Sequence, residues 1–314
     1  MTQQKGVNAK VAIGEESAYG TVATVGFILP INSSTLKGTQ GLDTAKTLTG
    51  NRNPVAPFAK NRDVAGDIVA PVDSLAMPYW LQKMFGDSTV TGVGPYVHEW
   101  KIGNTMPSTT IENQFLDLAT DAYVRFLGCR PSAWSMEVGG DDELVSTISW
   151  LGKSESNETS SFDAAPTTVS LARLNNFEAA LLEGGATLSN AKTLSFNIDF
   201  GLDTDQYVIG SGGARGDLPE GIVAVTGNLK TLFEDVSLLN KAINGTESSL
   251  KLTITGSASS VFEVEFEEIR YARNSPDIPG PQGLMVDLNF IGFYTNGTEA
   301  SSAVVRVTNS IAIY

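Results

Sequence analysis

The sequence predicts a mainly-β protein built from two tandem, related domains, each with one α-helix. Three observations lead to this fold class. Five short blocks of sequence occur twice in the same order, most segments alternate apolar and polar residues, and each copy holds one segment of helical periodicity. The chain of 314 residues has 41% hydrophobic and 18% charged residues, a composition typical of a folded globular protein. A chain of this length accommodates one or two domains.

The repeated blocks have offsets that drift along the chain, as loop insertions would make them drift. In order, each with its second copy, they are Gly41–Thr44 with Gly201–Thr204, Val64–Ile68 with Val225–Leu229, Leu81–Gly86 with Leu239–Gly245, Ile111–Phe115 with Phe262–Phe266, and Leu144–Gly152 with Leu284–Gly292. A period of about 150 residues has the size of a whole domain. The sequence therefore predicts an N-terminal arm (1–30), a first domain (31–155), a linker with an entry hairpin (156–185) and a second domain (186–314).

The strands are predicted from period-two alternation and from β-branched or aromatic runs. Leu144–Trp150 and Leu284–Phe290 have the character of buried strands. Phe262–Glu267 alternates strictly, which gives one apolar and one acidic face. Lys251–Thr255 and Ala303–Thr308 also alternate, and Phe177–Leu182 is predicted as a strand of a hairpin because Gly184-Gly185 follows it. Ser154–Pro166 has the polar composition of a linker.

One helix is predicted in each copy, over Asp73–Phe85 and over Leu229–Asn244. The second segment places Leu232, Val236 and Leu239 on one side and its charges on the other. Pro78 disfavours the interior of the first helix. Gly86 and Gly245 supply the C-terminal stops.

Charge and targeting signals restrict the function classes. The net charge is −14 and the sequence pI is about 4.5, which argues against tight binding to nucleic-acid phosphates. The single cysteine, Cys129, excludes an intramolecular disulfide. Met1–Lys10 is polar and carries no apolar core of a signal peptide, and no segment reaches the ~20 apolar residues of a membrane span. We therefore expect synthesis in a cytoplasm.

Catalytic and cofactor signals are weak throughout. One histidine, His98, and one cysteine cannot form a paired metal site, and His98 lies in an alternating strand segment. Cys129 has the surroundings of a small buried residue. Gly210–Gly216 is glycine-rich, but Pro219 and a strand-like segment follow where a phosphate-binding loop needs a helix. We expect a non-enzyme without a cofactor or a metal.

Several segments together resemble the tail tube proteins, also called major tail proteins, of long-tailed bacteriophages. The resemblance begins with the N-terminal signature Val11–Thr21 and continues through Ile111–Phe115, Tyr123–Cys129, Ser135–Val138, Trp150–Lys153, Ser195–Thr204 and Leu229–Ala242. It implies β-sandwich or barrel domains with one flanking helix, which form rings that stack into a hollow conduit for the genome. It also implies a place in the virion tail, with tape measure, tail terminator and tail tip proteins as partners, and DNA that passes without tight binding.

Two domains in each chain favour a trimeric, pseudo-hexameric ring over a hexameric one. An acidic wall would repel DNA phosphates, and the predicted lumen-facing residues are Glu112, Asp117, Glu263, Glu265 and Glu267. The alternative is that these residues form an ordinary solvated outer face of their strands. The long polar loops Asp43–Arg62 and Gly210–Glu220, with the N-terminal arm, are predicted to bridge adjacent rings. The residues chosen on these loops are Thr44, Asn51, Arg52, Arg62, Ser211, Arg215 and Asp217. The alternative function is another β-sandwich virion protein that binds a receptor or decorates the surface.

Overall fold

The computed structural model describes residues 3–314, which contain twenty β-strands, two α-helices and two short 3-10 helices at Gly6–Asn8 and Asn176–Glu178. The α-helices are α1 (Met77–Phe85) and α2 (Ser237–Asn244). The strands are β1 (Lys10–Glu15), β2 (Phe27–Leu29), β3 (Ser33–Ser34), β4 (Lys37–Asp43), β5 (Phe58–Pro71), β6 (Thr89–Thr91), β7 (Tyr96–Lys101), β8 (Thr109–Phe115), β9 (Ala122–Val138), β10 (Val145–Gly152), β11 (Ser154–Glu158), β12 (Thr167–Thr168), β13 (Ala179–Glu183), β14 (Ala186–Thr187), β15 (Ala191–Asp199), β16 (Ala224–Leu232), β17 (Ser248–Ser257), β18 (Ser260–Tyr271), β19 (Met285–Gly292) and β20 (Val304–Asn309).

A central antiparallel sheet runs through both halves of the chain, in the order β4–β5–β10–β9–β15–β16–β19. Its strands alternate buried and accessible residues, as in β10, where Ile148 and Trp150 are buried and their neighbours are not. One face of this sheet therefore lies on the hydrophobic core and the other face is polar. The prediction of a mainly-β protein is confirmed.

Two further groups of strands complete the fold. The long strand β9 belongs to two sheets, because Ala122–Cys129 pairs with β8 while its C-terminal half pairs with β10 and β15. The first group has the order β12–β2–β1–β8–β9–β11, with only the β12–β2 pair parallel. The second group has the order β6–β7–β20–β18–β17–β13–β14 and joins the central sheet where Ile269–Tyr271 pairs with β19. One core of buried side chains draws on both halves.

The strands β3–β4, β5 and β10 have the same pairing register as β15, β16 and β19. Gly66 of β5 lies opposite Trp150 of β10, and Gly227 of β16 lies opposite Phe290 of β19. The same agreement holds for β4 with β5 and for β15 with β16. The offsets that relate the two strand sets, 160, 161 and 140, are those of the repeated sequence blocks. A side chain at Gly227 would collide with the Phe290 ring, since an added Cβ would lie 2.3 Å from Cζ.

The predicted alignment of the fourth repeated block, Ile111–Phe115 with Phe262–Phe266, is wrong. Ile111 of β8 lies opposite Phe126 of β9, and Leu250 of β17 lies opposite Phe266 of β18. By register, β8 therefore matches β17 and β9 matches β18, so Ile111–Phe115 does not correspond to Phe262–Phe266. Both segments alternate apolar residues with glutamate, and alternation alone does not fix which strand of a hairpin is present.

The first helix starts later than predicted. Asp73 Oδ1 accepts the N–H groups of Leu75 and Ala76 at 2.6 Å each, which holds the chain in a turn before Met77. Pro78 then lies in the first helical turn, where its missing N–H costs no intrahelical hydrogen bond. Nearly the whole of α1 is buried, so it belongs to the core rather than to a flank.

The second helix is also shorter than predicted, because Leu229–Leu232 pairs with β19 as the end of strand β16. Leu232 is 44% and Val236 is 53% exposed, so the predicted apolar side of the helix does not form. The alternating burial along β16 shows that the strand pattern prevails over helical periodicity in this segment. The hairpin predicted from Phe177–Leu182 is present as β13 and β14, but its first strand begins at Ala179 and Phe177 lies in the 3-10 helix Asn176–Glu178.

Two segments predicted to lie outside sheets are strands. Ser154–Glu158, within the predicted linker, pairs with β9 as β11. Polar composition misled here because an accessible strand needs backbone partners and not an apolar sequence. Lys10–Glu15, within the predicted N-terminal arm, is β1 and pairs on both sides, with β2 and β8. Its buried side chains Val11–Ile13 fix it in the core, so this part of the arm is not free to reach another ring.

Candidate functional site

The polar face of the central sheet is continuous across both strand sets. In an antiparallel pair, directly opposite residues share a face, so the register identifies the side chains on this face. They include Lys37, Asp63, Ala65, Asp67, Ala133, Ser135, Glu137, Thr147, Ser149, Ser195, Asn197, Asp199, Thr226, Asn228, Lys230, Asp287, Asn289 and Ile291. We call this set the polar sheet face. This set carries five carboxylates and two lysines. Arg130, opposite Leu151 on the same face, is paired with Asp217 and Glu220 of the segment 200–223.

Most carboxylates of the polar sheet face are ionic groups without a cationic partner. Within residues 3–314, Asp67, Glu137, Asp199 and Asp287 take part in no ion pair, whereas Asp63 contacts Arg215 Nη1 at 2.6 Å. Asp67 accepts a hydrogen bond from Ser149 Oγ at 2.7 Å, and Asp287 accepts one from Asn228. The face is therefore acidic and hydrogen-bonded to itself. None of these residues was predicted as functional; the available signal was their alternation with the apolar residues of the repeated blocks.

The acidic side of β18 is charge-compensated. Arg306 of β20 contacts Glu263 at 2.9 Å and Glu265 at 2.5 Å, and it also contacts Glu99 and Glu299. Lys251 contacts Glu263 at 2.8 Å. Burial opposes ionisation of Glu299, but hydrogen bonds and charges from Lys101 and Arg306 outweigh it and lower the pKa of Glu299. We name the group of Glu99, Glu263, Glu265, Glu299 and Arg306 the Arg306 cluster.

Glu267 and Asp117 bind neighbouring segments of their own chain. Glu267 accepts the Thr298 hydroxyl at 2.6 Å and the Glu299 N–H at 2.6 Å, and these contacts, led by the hydroxyl, lower its pKa. Asp117 accepts the Lys5 N–H at 3.0 Å and the Asn8 amide, which lowers its pKa. For Asp117, Glu263, Glu265 and Glu267, the orientation toward a lumen stays a prediction.

The prediction that Glu112 lies on a surface facing the lumen is wrong. Glu112 is 0% exposed, and its carboxylate accepts bonds from Arg125 Nε at 3.0 Å, Ser161 Oγ at 2.7 Å and the Phe162 N–H at 3.1 Å. The ion pair with Arg125 ties β8 to β9, and the other bonds fix the segment that follows β11. The hairpin β17–β18, which matches β8–β9, has the reverse polarity at this position, with Lys251 opposite Glu265.

Two long loops leave the same end of the central sheet. The segment 44–57 joins β4 to β5, and the segment 200–223 joins β15 to β16. The second loop lies against β5 near the end of the first loop, where the Arg62 N–H of β5 donates to the Gly213 carbonyl at 2.8 Å. Leu48 is 98% exposed and Ile209 is fully exposed. Large apolar side chains held in water at two adjacent loops are typical of a surface that meets a partner.

The predicted loop residues separate into accessible and buried ones. Thr44, Asn51, Arg52, Arg62 and Asp217 are exposed, and Ser211 is half-buried. The prediction that Arg215 contacts an adjacent ring is wrong, since the residue is 5% exposed and its charge is paired with Asp63 of the same chain. Its guanidinium contacts Asp63, donates to the Thr204 carbonyl at 3.0 Å and lies over the Tyr207 ring. The residue anchors the second loop on β5.

The residues with catalytic potential are structural. His98 is buried and its Nε2 donates to the Ile311 carbonyl at 2.7 Å. Cys129 is buried, and burial raises the pKa of its thiol well above the ordinary value. In the described part of the chain, no group of three or more His, Cys, Asp or Glu residues is placed to hold a metal ion. The helices found there are too short or too polar to cross a membrane.

Comparison with protein families supplies the identification. The family model described as phage tail tube protein matches residues 6–292. The chain belongs to the phage tail tube protein family. The match spans both strand sets of this tail tube protein and the central sheet that joins them. It confirms the resemblance seen in the sequence and makes the protein a structural component of a virion tail. A comparison with curated proteins found no match.

Proposed function

We propose that this tail tube protein closes into rings that stack as the wall of the phage tail, with the polar sheet face toward the lumen through which the genome leaves. The observation that supports this most is the continuity of that face across both halves of the chain. A single chain thereby supplies two adjacent strips of a cylindrical wall. The proposed partners are the tape measure, tail terminator and tail tip proteins.

A trimer is the proposed ring. The register agreement between the two strand sets supports a duplication, in which each chain contributes two equivalent wall units. Three chains then give six units in pseudo-sixfold order, with a hexamer of twelve units as the alternative. Rings with heterologous contacts close when the rotation between neighbours divides a full turn.

The lumen proposal moves the lining from β18 to the central sheet, for an electrostatic reason. Glu263 and Glu265 have their charge balanced by Arg306 and Lys251, whereas Asp67, Glu137, Asp199 and Asp287 have no cationic partner among residues 3–314. Unbalanced carboxylates repel DNA phosphates over about 8–10 Å at cell-like salt. Small hydroxyl and amide side chains between them offer no cluster of Lys and Arg to hold the backbone.

The two long loops are proposed to contact the next ring. Both project from one end of the sheet, and both carry an exposed apolar residue, Leu48 or Ile209, that stacking would cover. Arg215 contributes indirectly by fixing the second loop against Asp63.

Negative-stain microscopy of the purified protein tests the assembly. We expect tubes with a regular axial repeat, and the rotational symmetry of end-on views separates three chains per ring from six. A protein that stays dispersed at high concentration, and that also fails to assemble with tail tip components, would contradict the proposal.

A charge-reversal experiment tests the lumen. Tubes of the variant carrying Asp67→Lys and Asp199→Lys are assembled with a short fluorescent DNA duplex and pelleted. We expect the variant to retain duplex and the wild type to exclude it. The matched control is Asp121→Lys with Glu247→Lys, two exposed carboxylates that lie off the polar sheet face. Equal retention by the variant and its control would refute the assignment of the face.

A further inference from the structure

In the central sheet, the strands of the first half, β4–β5–β10–β9, join those of the second half, β15–β16–β19, through one pairing, that of β9 with β15. Residues 133–138 run antiparallel to residues 194–199, with Val138 opposite Leu194 and Ala133 opposite Asp199. The other edge of β9 is occupied by β10, and the other edge of β15 by β16. The junction therefore places the last strand of the first set beside the first strand of the second set.

Each partner in this junction has a counterpart at an end of the central sheet. The counterpart of 194–199 is Ser34–Thr39, which pairs with β5 on one side. Within residues 3–314, no strand pairs with its other side. The counterpart of 133–138 is Arg273–Ile278, which follows the end of β18 and lies in no strand. Both halves of a second junction are present, at opposite ends of the same chain.

The segment Arg273–Ile278 begins beside β19, just as its counterpart, residues 133–138, lies beside β10. The N–H of the preceding Ala272 donates to the Asn289 carbonyl of β19 at 2.7 Å, and Asn274 Nδ2 donates to the Asp287 carbonyl at 2.8 Å. Ile278 is 81% exposed, whereas its counterpart Val138 is 5% exposed. What this segment lacks, compared with the end of β9, is a strand on its outer side.

We infer that Arg273–Ile278 of one copy pairs antiparallel with Ser34–Thr39 of the next copy, in the register of the β9–β15 junction. The inference rests on the proposed assembly into rings and specifies the contact that closes them. In this register Ser275 lies opposite Lys37 and Asp277 lies opposite Thr35. Asp277 is then diagonal to Lys37, within reach of an opposite-charge contact across the strands. The pairing makes the central sheet continuous around the ring.

Pro276 makes this edge weaker than the internal one. The Phe200 N–H donates to the Ser132 carbonyl at 2.9 Å, so the backbone of alternate residues from Ser132 onward is directed to β15. In the second junction the corresponding residues are Asn274, Pro276 and Ile278, and proline has no N–H to donate. A proline on an open edge also hinders pairing with unrelated strands. The edge is therefore protected in the free chain and pairs when the matching partner is present.

Disulfide trapping tests the register. The double variant Lys37→Cys with Ser275→Cys puts two thiols directly opposite each other across the proposed contact, at a Cβ separation of about 4.5–5.5 Å. Tubes are oxidised and run on a non-reducing gel. The native Cys129 is buried and does not compete. The matched control, Gly41→Cys with Ser275→Cys, moves one thiol by four residues, or about 13 Å along the strand.

We expect a ladder for the first variant that ends at the number of copies in a ring, and no ladder for the control. Wild-type tubes provide a measurement that needs no variant. The amides of Asn274, Ile278, Ser34, Leu36 and Gly38, which face the partner strand, should exchange about tenfold more slowly in tubes than in the free chain, as new hydrogen bonds require. Tubes that show neither cross-links nor protection would overturn the pairing and leave the tube function intact. If the wild type forms no tubes, the proposed function fails and this inference falls with it.

Discussion

Replacing Arg125 by Met is expected to destabilise the folded chain by about 3 kcal/mol, at the lower end of the range for a buried charge that loses its partner. Glu112 has no exposed surface, and Arg125 reaches it through Nε at 3.0 Å and Nη2 at 2.9 Å. Bonds from Gln114, Ser161 and the Phe162 N–H remain in the variant and limit the loss. Methionine keeps most of the aliphatic volume, so the change isolates the charge.

Urea unfolding of the unassembled protein measures this loss. A change of this size is a large fraction of the ~5–15 kcal/mol that stabilises a typical domain. The matched comparison is the double variant Arg125→Met with Glu112→Gln, which leaves no buried charge. We expect it to cost less than the sum of the two single variants by about 1–3 kcal/mol. A loss below about 1 kcal/mol for Arg125→Met would be that of a solvated pair, and would return Glu112 to the candidates for the lumen.

Three further predictions follow from single contacts. Arg215→Met should release the 200–223 loop from Asp63, so that limited proteolysis cuts this loop faster than in the wild type, while cleavage of 44–57 changes less. Burial raises the pKa of Asp73 to about 6, against bonds from the Ala76 and Leu75 N–H groups; because the folded pKa lies above the unfolded one, this carboxyl adds stability as pH falls from 7 to 4, by about 2–3 kcal/mol. On going from pH 7 to pH 4, the melting temperature of Asp73→Asn should therefore fall further, or rise less, than that of the wild type, and equal changes in the two proteins would contradict the assignment. Gly227→Ala should cost about 1–3 kcal/mol through overpacking against Phe290, with a lower thermal midpoint as the readout; a neutral effect would show that the ring moves aside freely.

The family and the mainly-β fold could be predicted because they depend on local patterns. The repeated blocks include pairs of positions that need one small and one large residue, such as Gly66 with Trp150 and Gly227 with Phe290. Because the small and the large residue must lie opposite each other, each keeps its position on its strand. The offset between the two copies of a block is therefore constant in the sequence. The block at Ile111–Phe115 failed because its alternation is shared by several strands of the fold. Only the pairing of Ile111 with Phe126 distinguishes them.

The candidate site was harder to predict because the charge of a face depends on distant residues. Alternation places Glu263 and Glu265 away from the apolar side of β18, but Arg306, which balances them, lies on a strand 41 residues beyond Glu265 in the chain. Glu112 has the same alternating context and is covered by residues 160–162, which local sequence does not reveal. The polar sheet face was missed for the opposite reason. Its small hydroxyl and amide residues are ordinary on any accessible strand, and only the seven-strand order shows that they form one surface.

The reversed ion pairs have a consequence for the fidelity of folding. A chain with two similar hairpins risks pairing a strand of one with a strand of the other, a common failure in repeat proteins. If β8 paired with β18 in the shared register, Glu112 would face Glu265; if β17 paired with β9, Lys251 would face Arg125. Both mistaken hairpins oppose like charges, one of them at a site without access to water, and like charges directly opposite destabilise a strand pair. The opposite polarity of these two ion pairs therefore disfavours the exchange of strands between the two hairpins.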